Sequence, residues 1–170
     1  MKNVPKAALV ILLHLAIIGT LYAKYSYERA TRPRVWVKTI GYDPDLPIRG
    51  RYVALSLEVA TDVAAKKEGD PKYAWYGTYP VHIELRNGEL FAANDPAGDE
   101  YLTFRELQTT PHAILSEPVL YFISDNAENP TWRPRNQELW AEVTIPKKGP
   151  PRPIRLGVKT SGAIEPLNLN

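Results

Sequence analysis

An uninterrupted apolar stretch near the N-terminus constrains this chain more than any other feature. It runs from Ala7 to Ala23 and reads AALVILLHLAIIGTLYA; counted from Val4 it has 20 residues. At a rise of about 1.5 Å per residue, a helix of this length crosses the ~30 Å hydrocarbon layer of a membrane. Aliphatic side chains cover every side of such a helix, whereas a helix at the surface of a soluble domain keeps a polar face. The stretch therefore predicts a single membrane-spanning helix.

A secretory signal peptide that is later removed has a similar layout, with a short basic start and an apolar core. Its cleavage site requires small residues, but here Leu21 and Tyr22 precede Ala23, and Lys24 follows. Tyrosines just after the span, such as Tyr25, are also typical of the aromatic belt at a membrane interface. We therefore predict a retained anchor with its juxtamembrane segment over residues 1–33, and one β-rich soluble domain over residues 34–170.

The orientation of the anchor depends on two opposing signals. Lys2 and Lys6 precede the span, whereas five basic residues follow it between Lys24 and Lys38, and this count alone favours a cytoplasmic domain. Long domains nevertheless cross membranes despite their charges, and the short basic start is usual for export. We expect the domain on the extracytoplasmic, periplasmic side. His14, in the middle of the span, is either tolerated there or contacts a helix of a membrane partner.

Charge and cysteine content limit the partners and the chemistry of the remaining chain. Without Lys2 and Lys6, 19 basic residues balance 19 acidic ones, and the two signs alternate along the sequence. Binding of nucleic acid needs a basic excess on one face, so nucleic acid is not expected as a partner. Because the chain has no cysteine, it has no thiolate nucleophile, no cysteine metal ligand and no disulfide.

Beyond Arg34, apolar and polar residues alternate with a period of two, which is typical of strands with one buried face. In Arg51–Val59 the apolar residues fall on one side of such a strand. Asn87-Gly88 predicts a two-residue hairpin turn, because both residues accept positive φ. Further strands are predicted at Val35–Ile40, Val81–Leu85, Tyr101–Arg105, Val119–Ile123, Leu139–Ile145 and Ile154–Val158, and a short helix at Thr61–Lys67. The predicted fold is mainly β, a compact antiparallel sandwich or barrel after the anchor.

Near the start of the soluble domain, Gly50, Tyr52 and Leu55 fit the pattern Gly-Asp-Tyr-x-x-Leu-x-Tyr, and the chain resembles the bacterial GDYXXLXY protein family. Arg51 replaces the Asp of the pattern and Leu57 replaces its last Tyr. The order of parts is similar too, with an N-terminal membrane segment and the motif early in a β-rich domain. The resemblance implies a bacterial membrane-anchored protein and no particular reaction, since the family's biochemical function is unknown.

The motif residues have a structural interpretation of their own. Gly50 accepts an unusual φ or a close backbone approach, Tyr52 packs a ring on the outer face, and Leu55 belongs to the core stripe. The alternative is a binding role for Arg51 and Tyr52 on an exposed edge. The substitution of the family's Asp by Arg51 weakens any carboxylate-based role at this position.

A second candidate surface is aromatic. Tyr73, Trp75, Tyr76 and Tyr79 lie close together beside a lysine. Rigid aromatic side chains on a loop are common binding anchors, and these rings suit stacking on sugars or gripping a peptide. The same spacing is equally compatible with packing on the sheet.

Catalytic chemistry finds little support in the sequence. A membrane-anchored hydrolase similar to type I signal peptidases would need a serine nucleophile and a lysine base, for which Ser56 and Lys66 or Lys67 are the candidates. The two soluble histidines, His82 and His112, do not make a typical zinc set. We predict no catalytic residues, no cofactor and no metal, and interpret the chain as a noncatalytic membrane protein that binds another envelope component, such as a multi-pass membrane protein; the hydrolase is the alternative.

Overall fold

The computed structural model describes residues 4–44, 51–63, 79–103 and 112–169. The chain divides into two units, Met1–Arg32 and Pro33–Asn170. Strands account for 46% of the structure and helices for 19%. The predicted fold class, a mainly β domain after one N-terminal apolar helix, is confirmed.

The first unit contains one helix, α1, which spans Val4–Thr31. The segment Lys6–Thr31 is long and apolar enough to cross a membrane, a property that it shares with signal sequences. The polar ring of His14 bonds within the helix, because its Nδ1 lies 2.7 Å from the carbonyl oxygen of Val10. The imidazole therefore has a hydrogen-bond partner without any contact to a second helix.

Ten strands are present in the described part of the second unit. They are β1 Arg34–Tyr42, β2 Tyr52–Thr61, β3 Tyr79–Arg86, β4 Glu89–Asn94, β5 Glu100–Thr103, β6 His112–Leu115, β7 Val119–Phe122, β8 Glu138–Thr144, β9 Arg152–Lys159 and β10 Glu165–Pro166.

Strand β2 belongs to two sheets because its two halves have different neighbours. The half that begins at Tyr52 pairs with β1 and β7, and the half that ends at Thr61 pairs with β4 and β6. In the second sheet the order β2-β4-β3-β5-β6 returns to β2, so five strands close into a barrel. All of its pairings are antiparallel except that of β2 with β4, where Ala60 stands opposite Phe91. The first sheet extends away from the barrel in the order β10-β9-β8-β1-β2-β7.

The alternation of β2 places its odd-numbered apolar residues in the core. Val53, Leu55, Leu57 and Val59 are almost fully buried, and they pack in one cluster with buried residues of both sheets. Each fully buried aliphatic side chain of this kind contributes about 1.5–3 kcal/mol of transfer free energy. The core therefore runs along β2 and connects the barrel to the extended sheet.

Several local predictions are confirmed and one is wrong. The Asn87-Gly88 hairpin forms with positive φ at both residues, 54° and 83°. Leu85, expected on a buried face, is exposed, because β5 pairs with β3 only over Tyr79–Val81 and the far end of β3 extends past the core. Thr61, the first residue of the predicted helix, ends β2; its hydroxyl donates to the carbonyl of Ala92 at 2.7 Å and accepts from the amide of Val63 at 3.0 Å. The rest of the predicted helix, residues 64–67, lies outside the described residues.

Candidate functional site

The described residues of the motif lie at the start of β2 and along it. Leu55 and Leu57 are buried core residues, and Tyr52 lies on the opposite, outer face of the sheet. The ring of Tyr52 packs against that of Phe122 on β7, with 6.0 Å between the ring centroids. Gly50 lies outside the described residues.

Arg51 ties the start of β2 to a loop more than 70 residues away. Its Nη1 donates to the carbonyl oxygens of Asp125, at 3.0 Å, and Ala127. Its Nε lies 3.6 Å from Oδ2 of Asp43, whose side chain is only 5% exposed. The backbone of Arg51 joins the same network, because its carbonyl accepts from the amide of Ile123 at 3.0 Å. Arg51 is thus a structural clamp between β2 and the loop after β7.

A cleft opens at this clamp. Its volume is about 590 Å³, within the range of small-molecule sites. Its described lining combines charged, amide and aromatic side chains: Asp43, Arg51, Asn126, Ala127, Glu128, Asn129 and Trp132. Both charge signs are present, so the cleft carries no large excess of either sign.

Trp132 is held on a rigid loop with its indole in solvent. The side chain is 84% exposed, whereas tryptophan is usually mostly buried. The loop is fixed because Oδ1 of Asn129 accepts from the amide and hydroxyl of Thr131, at 2.9 and 2.7 Å. Pro130 between them is fully buried, and its carbonyl accepts from Nε of Arg133 at 3.0 Å. The exposure of the indole is therefore imposed by an ordered loop.

The outer face of the extended sheet carries a second surface of interest. Side chains of β1, β2 and β7 meet there through the pairings of Tyr52 with Phe122 and of Ala54 with Leu120. Large apolar side chains on this face are exposed to solvent: Tyr42 by 67%, Phe122 by 66%, Leu120 by 48% and Ile40 by 40%. We call Ile40, Tyr42, Tyr52, Leu120 and Phe122 the apolar face.

The neighbouring part of the same sheet surface is polar and its charges are paired. Lys38 on β1 forms an ion pair of 2.8 Å with Glu138 on β8. Arg155 on β9 forms one of 2.7 Å with Glu142, and its guanidinium lies over the ring of Trp36. Cross-strand pairs of this kind satisfy the charged groups within the domain. The contrast makes the apolar face a distinct patch.

The predicted aromatic surface is only partly described. Tyr79 is half-buried at the start of β3 and packs against the core, which is the structural alternative for this residue. Tyr73, Trp75 and Tyr76 lie outside the described residues. Their role in binding stays a prediction.

The serine–lysine hypothesis gains no geometric support from the described residues. Ser56 lies in the middle of β2, opposite Ile40, and Lys66 and Lys67 lie outside the described residues. Lys38 is two residues from Ile40 along β1, but its hydrogen bond with Glu138 raises its pKa. Such a lysine keeps its proton near neutral pH and cannot act as a general base.

The described residues contain no group of three or more His, Asp or Glu side chains suited to hold a metal ion. The acidic segment around Asp95 forms a turn, in which Oδ1 of Asp95 accepts from the amide of Ala97 at 2.9 Å. Glu100, just after this turn, is buried in the barrel, and desolvation together with the charges of Asp99 and Glu117 raises its pKa. Burial therefore disfavours the ionised form of the Glu100 carboxyl in the folded barrel.

Comparison of the chain with family models, with curated proteins and with solved structures gives no match. The resemblance to the GDYXXLXY family therefore stays a prediction on the motif residues. Of the residues that line the cleft, sequence reasoning singled out only Arg51, and of the apolar face only Tyr52; Asp43 and Trp132 are among the residues that it missed. The available signal for Trp132 was an aromatic residue in a short segment bounded by Pro130 and Pro134.

Proposed function

We propose that this protein is a noncatalytic, single-pass membrane protein whose β domain binds another protein of the bacterial envelope through the apolar face. α1 is the anchor, and the domain lies on the extracytoplasmic side. Only Arg32 and Pro33 separate α1 from β1, so a domain joined this directly to a membrane helix works close to the membrane surface. The class of partner that follows from that position is an integral membrane protein.

The observation that carries this proposal is the exposure of the apolar face. Single exposed apolar residues are ordinary, but contiguous exposed patches mark interaction surfaces. Here Tyr42 on β1 and the pair Leu120 and Phe122 on β7 lie on either side of β2, and neighbouring strands are about 4.8 Å apart. The aromatic composition of the patch is that of an interface core, and the paired charges beside it resemble a polar rim.

A single introduced cysteine provides the test, because the chain has none of its own. Phe122→Cys carrying a benzophenone maleimide is irradiated in native membranes, and His82→Cys on the exposed side of β3 is the control. We expect one discrete heterologous product from position 122 and none from position 82. Adding Tyr42→Asn should reduce that product by about tenfold, since loss of an aromatic side chain that becomes buried against the partner costs about 1.4 kcal/mol or more of binding free energy.

The remaining outcomes of this experiment contradict the proposal. A product of twice the chain's mass identifies self-association instead of a heterologous partner. Adducts to lipid alone identify a membrane-binding face. Equal labelling at positions 122 and 82 shows that the apolar face has no selective contact.

The orientation is tested with the same chemistry. Ser161→Cys in the domain and Asn3→Cys before the span are each treated, in intact spheroplasts, with a maleimide that does not cross membranes. Extracytoplasmic placement of the domain requires labelling at position 161 and protection at position 3. The reverse pattern places the domain in the cytoplasm, and release of the position-161 variant into the soluble fraction shows that the anchor is removed.

A further inference from the structure

The cleft at Arg51 is a second surface, separate from the apolar face, and the proposed function makes no use of it. Its described walls come from two parts of the chain: Asp43 and Arg51 flank the ends of β1 and β2, and the loop 126–132 follows β7. The Arg51 clamp joins the two walls, and Asn129 fixes the position of Trp132. The Arg51 guanidinium and the backbone of the loop are therefore held in place before any ligand arrives, which lowers the entropic cost of binding.

The charges of the cleft argue against an ionic ligand. An anion would meet the carboxylates of Asp43 and Glu128, and the guanidinium of Arg51 is already engaged by Asp43 and by two carbonyl oxygens. A cation would meet that guanidinium. A neutral ligand with many hydroxyl groups meets neither penalty, because carboxylate and amide oxygens accept hydrogen bonds from its hydroxyl groups while amide nitrogens donate to its oxygens.

The exposed indole supplies the second half of the recognition. The apolar C–H face of a sugar ring packs on an aromatic ring, and its equatorial hydroxyls then point sideways toward polar groups. Trp132 stands in solvent beside Asn126 and Glu128, two exposed side chains that reach hydroxyl groups at the edge of such a ring. A volume of about 590 Å³ accommodates a short oligosaccharide.

We propose that this cleft binds a neutral oligosaccharide, with Trp132 as the stacking platform and Asn126 and Glu128 as the polar contacts. The site is noncatalytic and independent of the apolar face. A protein with both surfaces holds a glycan beside its membrane partner.

The test uses the full chain in phospholipid nanodiscs, because detergents with sugar headgroups would compete for the site. Cellotetraose, maltotetraose and N-acetylchitotetraose are each added at about 10 mM, and saturation transfer from protein to saccharide is recorded by NMR. We expect transfer to at least one of them. Trp132→Ala should weaken that binding by about tenfold or more, whereas Trp132→Phe, which keeps an aromatic face, should retain part of it.

Matched variants separate a site effect from a folding effect. Asn126→Ala changes an exposed residue of the cleft and should weaken binding several-fold, about 3- to 10-fold for one lost hydrogen bond. Phe122→Asn changes an exposed aromatic outside the cleft and should leave saccharide binding unchanged. Absence of transfer to all three saccharides overturns the proposal, as does transfer that survives Trp132→Ala. Binding of inorganic phosphate that depends on Trp132, without saccharide binding, identifies an anion site and also overturns it.

Discussion

Replacement of Arg51 by methionine tests whether the motif is a structural clamp. Methionine keeps the length of the side chain but removes both hydrogen bonds to the carbonyls of Asp125 and Ala127, and it leaves the buried carboxylate of Asp43 without this cation. A hydrogen bond from a charged group contributes about 1.5–3 kcal/mol. Because the arginine is partly exposed and the freed carbonyls can reach water, we expect a total loss of about 2–4 kcal/mol in the free energy of unfolding.

This loss converts into a measurable change in melting temperature. For a unit of about 140 residues, Pro33–Asn170, the unfolding entropy is roughly 0.3 kcal/mol/K, so the midpoint should fall by about 7–13 °C. Tryptophan fluorescence of the full chain in lipid nanodiscs reports this unit selectively, because α1 contains no tryptophan. Arg86→Met, which removes an exposed ion pair with Glu84, is the matched control and should cost no more than about 1 kcal/mol.

Two further variants make the interpretation specific. Arg51→Lys keeps the positive charge but loses the forked geometry, so its midpoint should fall between those of the wild type and Arg51→Met. Asp43→Asn in the methionine background should recover part of the loss, since it removes the buried charge that faces Arg51 in the wild type. A midpoint for Arg51→Met no lower than that of Arg86→Met would refute the clamp and favour an exposed binding role for Arg51.

Further predictions concern the stability of the barrel and the alternative hypothesis of a serine hydrolase. Glu100→Gln should raise the melting temperature at pH 7. Burial raises the folded-state pKa of Glu100 above its unfolded value, so ionisation of this group destabilises the fold as the pH rises between the two pKa values. In a series of thermal melts at different pH, the gain from Glu100→Gln should vanish near pH 3. Gly88 has φ 83° and open space around it, so Gly88→Ala should cost about 1 kcal/mol of backbone strain in urea unfolding. The Cβ of Gly98→Ala would overlap the backbone of Val81, so this variant should cost several times more. Equal costs for the two variants would contradict the geometry. A fluorophosphonate probe should label wild type and Ser56→Ala equally weakly, and labelling that depends on Ser56 would restore the hydrolase hypothesis.

The features that the sequence predicted well are those encoded by neighbouring residues. The alternation in β2 predicted which side of Val53, Leu55 and Leu57 is buried, because strand periodicity is local. The Asn87-Gly88 turn was predictable for the same reason, since its φ angles depend on those two residues alone.

The features that could not be predicted depend on distant segments. The parallel pairing of Ala60 with Phe91, one of the contacts that close the barrel, leaves no mark in the periodicity of either strand. The bond from Arg51 to Ala127 joins residues 76 positions apart, so the motif gives no indication of its partner. The cleft was missed because it is built by such long-range contacts.

The apolar face and the cleft meet at the ends of β1 and β2, and they can still be separated by mutation because neighbouring residues there belong to different surfaces. Tyr42 is largely exposed on the apolar face, while the carboxylate of the next residue, Asp43, is buried at the cleft. Arg51 likewise contacts the loop of the cleft, and the next residue, Tyr52, packs against Phe122. Asp43 follows the last residue of β1 and Arg51 precedes the first residue of β2, so each pair of neighbours contributes one residue to each surface. Trp132→Ala should therefore leave crosslinking from position 122 intact while saccharide binding is lost, and a variant that removes both functions without lowering the melting temperature would show that the two surfaces form one site.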